Sequence, residues 1–304
     1  MSEPLAYLNG RFVPLSQAVL PVYDAGFVLG ATISEQLRTF GGRLFRLDEH
    51  LKRMARSLQV IGVRPQMSLE KLSETALELV AKNHSLLAAG DDLGLSMFIT
   101  PGPYATLSGG DASGPTVGLH TYPLPFSMWA KKYQSGECLA VTEIEQVSAR
   151  SWPTEMKCRS RMHYYLADQR ARALQPPARA LMLDERGNAC ETSTANLLLH
   201  VRGTGLISPP RASILPGITL AATLELAAAA GISCVERDIK PADVASADEV
   251  LLTSTPNCLL PATRFNGAPI GSGEPGPAFA RLLRAWNDSV GLDIAAQARA
   301  FAAR

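Results

Sequence analysis

Lys157 stands in Trp152-Pro153-Thr154-Glu155-Met156-Lys157-Cys158, between an extended segment and a helix. A lysine in a partly desolvated pocket gives up its proton more readily and forms a Schiff base with an aldehyde. On its own, a lysine is ordinarily a solvated surface charge. Glu191 stands in Cys190-Glu191-Thr192-Ser193-Thr194-Ala195-Asn196, after a turn and before an apolar strand. A carboxylate so placed faces a cavity between sheet and helix. Beside the nitrogen of a pyridine ring it would keep that nitrogen protonated and sustain the ring as an electron sink. A hydrogen-bonded glutamate at a strand end is the plainer alternative.

Three further groups are suited to an anion. Leu215-Pro216-Gly217-Ile218-Thr219 opens an alanine-rich helix, and a helix start presents unbonded N–H groups and the positive end of the dipole. Thr219 adds a hydroxyl, although most such helices bind nothing. Thr253-Ser254-Thr255-Pro256 follows a strand and offers three hydroxyls with backbone N–H groups. Arg53 lies on a helix, off the face formed by Leu51, Met54 and Leu58. It is either a surface arginine or a permanent cation for a phosphate. No one of these decides the chemistry; their joint order along the chain does.

The elements that must position them follow from local pattern. Tyr7-Leu8, Asn9-Gly10 and Phe12-Val13 read as a hairpin. Ile33 to Phe40 reads as a strand that Gly41-Gly42 turns back into Leu44-Phe45. Asp48 is expected to cap a helix whose Leu47, Leu51, Met54, Leu58 and Ile61 face a core. Ser68 is expected to cap the next, with Leu69, Leu72, Ala76, Leu79 and Val80 inward. Strands are expected over Asp92–Thr100 and Thr116–Tyr122, around a Gly-, Pro- and Ser-rich loop from Pro101 to Pro115. A domain boundary is placed near Tyr122-Pro123-Leu124-Pro125-Phe126, giving domains 1–125 and 135–304 joined by 126–134. In the second half, strands are expected over Leu139–Ile144, Leu181–Leu183, Ala195–His200 and Val250–Thr253. Helices are expected over Ser160–Leu174, Gly217–Ala230 and Ala278–Trp286. Without a regular strand–helix alternation, the fold class is α+β.

Composition bounds the rest. The 304 residues are 46% apolar and 19% charged, a soluble globular balance with room for two domains. With 29 basic and 28 acidic residues the net charge is +1, which gives no electrostatic reason to expect nucleic acid or an anionic membrane. The five cysteines are scattered without a CxxC, and the five histidines stand apart. Neither a disulfide framework nor a metal site is expected, and each histidine is read as structural or on the surface. MSEPLAYLNGRF has no basic region followed by an apolar run, and Leu220 to Ile232 is too short to span a bilayer. A cytoplasmic enzyme is expected.

Taken in order, five segments resemble the class IV (fold type IV) pyridoxal-phosphate enzymes. This family includes the branched-chain aminotransferases, the D-amino acid aminotransferases and the 4-amino-4-deoxychorismate lyases. The resemblance runs from about Tyr7 to Gly267. Glu49-His50-Leu51-Lys52-Arg53 is similar to the EHxxR motif, MKCRSRMHYYLADQRA to the lysine segment, and LMLDERGNACETSTANLLL to the glutamate segment. LPGIT and LLTSTPNCLLPATRFNG are similar to the two phosphate segments. The resemblance implies a D-amino acid aminotransferase-like architecture of two domains, a small N-terminal α/β domain and a larger C-terminal one, with the cofactor between them. It implies a homodimer whose pockets are partly lined by the neighbouring subunit. It also implies pyridoxal 5′-phosphate held covalently by Lys157, with Glu191 on its ring nitrogen. Arg53, Ile218, Thr219 and Thr255 would hold its phosphate.

The resemblance divides on substrate. Glu35 and Arg38, in Ile33-Ser34-Glu35-Gln36-Leu37-Arg38, are similar to the aminotransferases. The substrate pocket is expected to include Leu29, Ser34, Arg38 and Pro256. Ser34 stands where many members have an aromatic residue, and Leu29 where branched-chain enzymes often have a tyrosine. Pro101 stands where D-amino acid enzymes usually have an arginine, which disfavours a D-amino acid aminotransferase of the usual kind. The spacing from Lys157 to Arg161 is similar to that of the lyases and D-amino acid enzymes. The expected reaction is amino transfer between an amino acid, with the branched-chain amino acids as candidates, and a 2-oxo acid. The alternative is a lyase releasing pyruvate and p-aminobenzoate, and a non-catalytic binding protein is a third reading. Retention of Lys157, Glu191 and Arg53 together argues against that third reading.

Overall fold

In the computed structural model, which describes residues 3–111 and 113–303, the chain divides into two units. The first is Met1–Leu124 with Met156–Ser160, and the second is Pro125–Glu155 with Arg161–Arg304. The short segment that carries Lys157 therefore packs with the first unit, although it lies within the 135–304 span in sequence. The reason is backbone pairing, described below.

The first unit contains β1 (Leu5–Leu8), β2 (Arg11–Pro14), α1 (Ala25–Val28), β3 (Ile33–Phe40), β4 (Arg43–Leu44), α2 (Leu47–Val60), α3 (Leu69–His84), β5 (Leu93–Thr100) and β6 (Thr116–Pro123). The strands form one sheet in the order β2-β1-β6-β5-β3-β4. Asn9 and Gly10 take the positive φ values that a two-residue hairpin demands. Side chains alternate across the sheet. Ile33, Leu37, Leu95, Met97, Ile99, Val117 and Leu119 point to one face and pack with Leu51, Met54 and Leu58 of α2 and Leu72, Ala76 and Leu79 of α3. Ser68 caps α3 through Lys71 N at 3.2 Å, as expected. Asp48 does not cap α2. The helix opens two residues earlier, from Arg46 in a left-handed conformation, and Asp48 and Glu49 lie in its first turn, where the dipole favours them. The tight return from β4 sets that start.

The second unit contains α4 (Lys132–Ser135), β7 (Glu137–Ala140), α5 (Met162–Leu174), β8 (Arg179–Leu183), β9 (Ala189–Thr192), β10 (Asn196–Val201), β11 (Gly205–Ser208), α6 (Ile218–Ala229), β12 (Cys234–Glu236), α7 (Pro241–Ser246), β13 (Glu249–Ser254), β14 (Cys258–Phe265), β15 (Ala268–Pro269), α8 (Pro277–Val290) and α9 (Ile294–Ala300). The sheet runs β12-β11-β10-β13-β14-β7-β8-β9, and β9 returns to β10 through the pair Glu191 and Asn196. The sheet thus closes on itself at Glu191. Ala140, Ala167, Ala171, Ala178 and Ala180 form a small-residue cluster where α5 lies on β7 and β8. Glu249 anchors α8 by accepting from Ala278 N at 2.7 Å and Phe279 N at 2.8 Å.

Several boundaries differ from expectation. The strand expected over Leu139–Ile144 is Glu137–Ala140, because Val141 N turns to Asn266 Oδ1 and leaves the ladder. The helix expected from Ser160 begins at Met162, because Ser160 bonds to Gly30 O in the first unit. The central strand β14 was not expected, since Pro261 interrupts its apolar run. In the sheet Pro261 pairs with Leu251 of β13 and lies just past Glu137, the first residue of β7. No ladder bond is required of its nitrogen there. Among the described residues, no helix is long and apolar enough to cross a membrane.

Candidate active site

In the first unit, the chain around Lys157 runs antiparallel to the start of β3. Ser34 N donates to Lys157 O at 3.0 Å, Arg159 N donates to Thr32 O at 2.9 Å, and Ile33 bridges Cys158. Lys157 N donates to Ser57 Oγ of α2 at 3.1 Å. Met156 and Cys158 face the core and pack against it, and Lys157 is half-buried. The lysine backbone is therefore held from both sides, which limits where its amine reaches.

Arg53, Glu35 and His50 form a buried cluster beneath the same segment. Arg53 Nε donates to Glu35 Oε1 and Nη2 to Oε2, each at 2.7 Å. His50 Nδ1 donates to Glu35 Oε2 at 2.7 Å. All three are buried, with Glu35 and His50 at 0% exposure. Burial pushes the Glu35 carboxyl up, but the Arg53 charge and the hydrogen bonds from Arg53 and His50 outweigh it and bring the pKa down to about 2. Burial holds the His50 pKa below its ordinary value, with a contribution from the nearby Lys157 charge. His50 Nε2 is buried without a hydrogen-bond partner among the described residues. Arg53, read from the sequence as a surface charge or a phosphate ligand, is thus tied to a glutamate through two of its nitrogens.

The other first-unit residues singled out by sequence scatter. Ser34 is buried beside Lys157 in the register. Arg38 lies four residues along β3, roughly 13 Å away at strand spacing. It is fully buried, with Nε donating to Thr39 O at 3.1 Å and its guanidinium 4.1 Å from the Phe40 ring. Leu29 is 58% exposed and ends α1.

In the second unit, Glu191 lies on β9 and is buried. Its Oε1 accepts from Tyr164 Oη at 2.9 Å and Gln146 Nε2 at 3.3 Å. Its Oε2 accepts from Asn196 Nδ2 at 2.9 Å and Leu215 N at 3.4 Å. Burial, then the Glu191 charge, raise the Tyr164 phenol well above its ordinary pKa, so it remains a donor. Asn196 also donates to Leu215 O at 2.9 Å and so couples Glu191 to the start of α6. Gly217 is the residue before α6, and a Cβ there would collide with Asn196 Oδ1.

Among the described residues, no side chain caps α6. Ile218 and Thr219 are buried in its first turn, and Thr219 Oγ1 lies 3.2 Å from Thr255 Oγ1 in the turn between β13 and β14. Two hydroxyls and the N–H groups of a helix start therefore converge, which is the donor set an anion needs. The two hydroxyls at the end of β13 have different roles: Ser254 donates to Thr194 O at 2.6 Å, while Thr253 Oγ1 is buried without a partner among the described residues. Pro256 follows Thr255 in the turn and is half-buried.

Sequence reasoning missed Tyr164, Gln146 and Asn196 as partners of Glu191, and it left His50 as a default histidine. Asn196 carried a faint signal, five residues from Glu191 across a tight return. Tyr164 and Gln146 carried none, because only the fold brings them to the carboxylate.

Comparison with known proteins identifies the family. Residues 32–265 match the amino-transferase class IV family. A D-alanine aminotransferase of Bacillus licheniformis is 28% identical over 282 residues, covering 93% of this chain and 95% of that protein. A branched-chain-amino-acid aminotransferase of Salmonella typhimurium is 25% identical, covering 92% and 91%. The solved branched-chain amino acid aminotransferase of Escherichia coli superposes with a TM-score of 0.86 at 23% identity, covering 94% of each chain. That of Thermoproteus uzoniensis, solved with norvaline, superposes at 0.82 with 25% identity, covering 95% and 96%. The α+β chain, with its buried glutamate and its lysine pinned to a strand, belongs to the class IV aminotransferases.

Proposed function

We propose that the protein is a pyridoxal 5′-phosphate-dependent aminotransferase that moves an amino group between an amino acid and a 2-oxo acid, with branched-chain amino acids the first class to test. Glu191 carries this reading. It is a buried carboxylate accepting from four donors, beside a helix start where Thr219 and Thr255 converge. A cationic ring nitrogen matches the first feature and a phosphate matches the second.

Bound pyridoxal phosphate supplies an aldehyde that takes up the amino group and a cationic ring that withdraws electrons. Lys157 would attach it, and the Lys157 amine, once freed by the amino donor, would take the proton from the substrate Cα and deliver it to the carbon that carried the aldehyde. Glu191 keeps the ring nitrogen protonated, and Tyr164, Gln146 and Asn196 keep Glu191 in place. Ile218, Thr219 and Thr255 donate to the phosphate, and Arg53 supplies positive charge. The protein acts as a homodimer in a reducing cytoplasm. The apolar side chains of Val19, Val22 and Phe27, each more than 70% exposed, support self-association, and the free cysteines suit that compartment.

The test is the visible spectrum of the purified protein with pyridoxal phosphate, followed while L-leucine, L-glutamate, D-alanine and aminodeoxychorismate are added in turn. Loss of the yellow band with one amino acid, and its return with a 2-oxo acid, is expected. A stable yellow band with pyruvate released from aminodeoxychorismate would replace this reading by a lyase. Absence of any band would overturn it.

A further inference from the structure

The face of the six-stranded sheet turned away from α2 and α3 has an unusual surface. Gly94 and Gly118 stand on it opposite Tyr122 and Phe98 respectively. A Cβ at Gly94 would collide with the Tyr122 ring, and one at Gly118 with the Phe98 ring. Both rings therefore lie flat over glycine backbone and make a smooth apolar floor. Between them, Ser96 pairs with His120, and Tyr122 Oη donates to Gln36 Oε1 at 3.3 Å.

Arg159 reaches this floor from the segment that carries Lys157. Thr32 opposes Arg159 and Ser34 opposes Lys157, so Lys157 and Arg159 leave their strand on the same face as Ser34 and Ser96. Arg159 Nη2 donates to Ser96 Oγ at 2.7 Å, and Ser96 is 1% exposed. A buried hydroxyl thus orients an arginine that is itself exposed to an incoming ligand. His120 and Tyr122 beside it are uncharged, and the Arg38 charge also acts on the Tyr122 phenol. Burial keeps His120 below its ordinary pKa, and burial raises the Tyr122 phenol to about 12. Each of them feels the Arg159 charge.

We propose that Arg159 receives the α-carboxylate of the amino acid and 2-oxo acid substrates, over the floor made by Phe98 and Tyr122. This rests on the aminotransferase reading and adds a residue to it. A guanidinium is always charged and meets a carboxylate through two parallel hydrogen bonds. Side chains two residues apart on a strand leave it roughly 7 Å apart. An amino acid whose nitrogen takes the place of the lysine amine carries its carboxylate carbon about 2.5 Å away, and a paired guanidinium adds about 4 Å more. Lys157 and Arg159 leave one face of their segment, so one small substrate can meet both. Arg38, expected from the sequence to belong to the substrate pocket, is buried, with its Nε on Thr39 O and its guanidinium over the Phe40 ring. Ser34, small and buried beside Lys157, leaves room above the floor.

The experiment is calorimetric titration of the cofactor-loaded protein with 4-methylvaleric acid and with its uncharged amide. It is run on the wild type, Arg159→Gln and Arg159→Lys. The wild type is expected to prefer the acid, and Arg159→Gln to lose about tenfold or more of acid affinity with amide affinity unchanged. Arg159→Lys should recover part of the loss. Equal binding of acid and amide by the wild type overturns the proposal, as does an undiminished preference in Arg159→Gln. Unchanged thermal midpoints would show that the exposed side chain was removed without unfolding. Failure of the aminotransferase reading is separate: it appears as a wild type whose colour no amino donor alters.

Discussion

Glu35 grips Arg53 through both carboxylate oxygens, Oε1 on Nε and Oε2 on Nη2, at 2.7 Å each. His50 shares Oε2 at 2.7 Å, so one buried carboxylate orients two basic side chains beneath the Lys157 segment. Removing one partner of such a pair leaves an uncompensated buried charge. Glu35→Gln is expected to cost about 3–5 kcal/mol of unfolding free energy, measured by urea denaturation. A loss below about 1 kcal/mol, the range of an exposed pair, would show that the cluster does not hold the unit together.

The same pair sets an acid limit. Unfolded Glu35 takes up its proton near 4.5 and folded Glu35 near about 2. Between those values the unfolded chain binds more protons, so this stabilisation is complete above about 4.5 and is lost as pH falls toward about 2. His50, also held below its ordinary value of 6.5, adds a loss of the same sign that begins at higher pH. Stability measured from pH 7 down to pH 2 should fall across this range in the wild type and more shallowly in Glu35→Gln. Parallel curves would count against it.

Lys157→Ala is expected to reduce turnover by at least ~10²–10⁴-fold, the span of a lost general base, while circular dichroism stays native. The pairing of its segment with β3 uses backbone atoms, which the substitution keeps. Retained turnover would exclude the lysine from the chemistry.

Tyr164→Phe removes a donor to Glu191 Oε1 that acts there beside Gln146. The lost bond to a charged acceptor is worth about 1.5–3 kcal/mol. Turnover should fall more than cofactor affinity, because the phenol acts through the carboxylate that tunes the ring. The check is to measure the cofactor dissociation constant and the rate side by side; a change in affinity alone would assign Tyr164 to packing.

Gly217→Ala adds a methyl against Asn196 Oδ1, where Asn196 Nδ2 serves both Glu191 and Leu215. The overpacking should cost about 1–3 kcal/mol and weaken cofactor retention during dialysis. Thr255→Val, which leaves the backbone alone, should weaken retention without the stability loss. If both variants keep cofactor as the wild type does, the start of α6 is not its phosphate site.

Much of this protein was legible in its sequence. The hairpin at Asn9-Gly10, the strand from Ile33 to Phe40 and the cap at Ser68 rest on local rules, because turns, alternation and capping involve neighbours in the chain. Lys157, Glu191, Thr219 and Thr255 stand in an ordered series of segments that marks the family, and the family match over residues 32–265 spans them. What the sequence could not determine depends on residues far apart along it. Strand β14 hid behind Pro261 because the cost of a proline is set by whether a neighbouring strand asks for its N–H. The Lys157 segment joined the first unit because backbone bonds to Thr32 and Ser34 outrank position in the chain. The grip of Glu35 on Arg53 and the donors around Glu191 were likewise decided by tertiary structure alone. A buried charge takes its partner from whatever the fold brings within hydrogen-bond reach, and no local pattern of residue types records that choice.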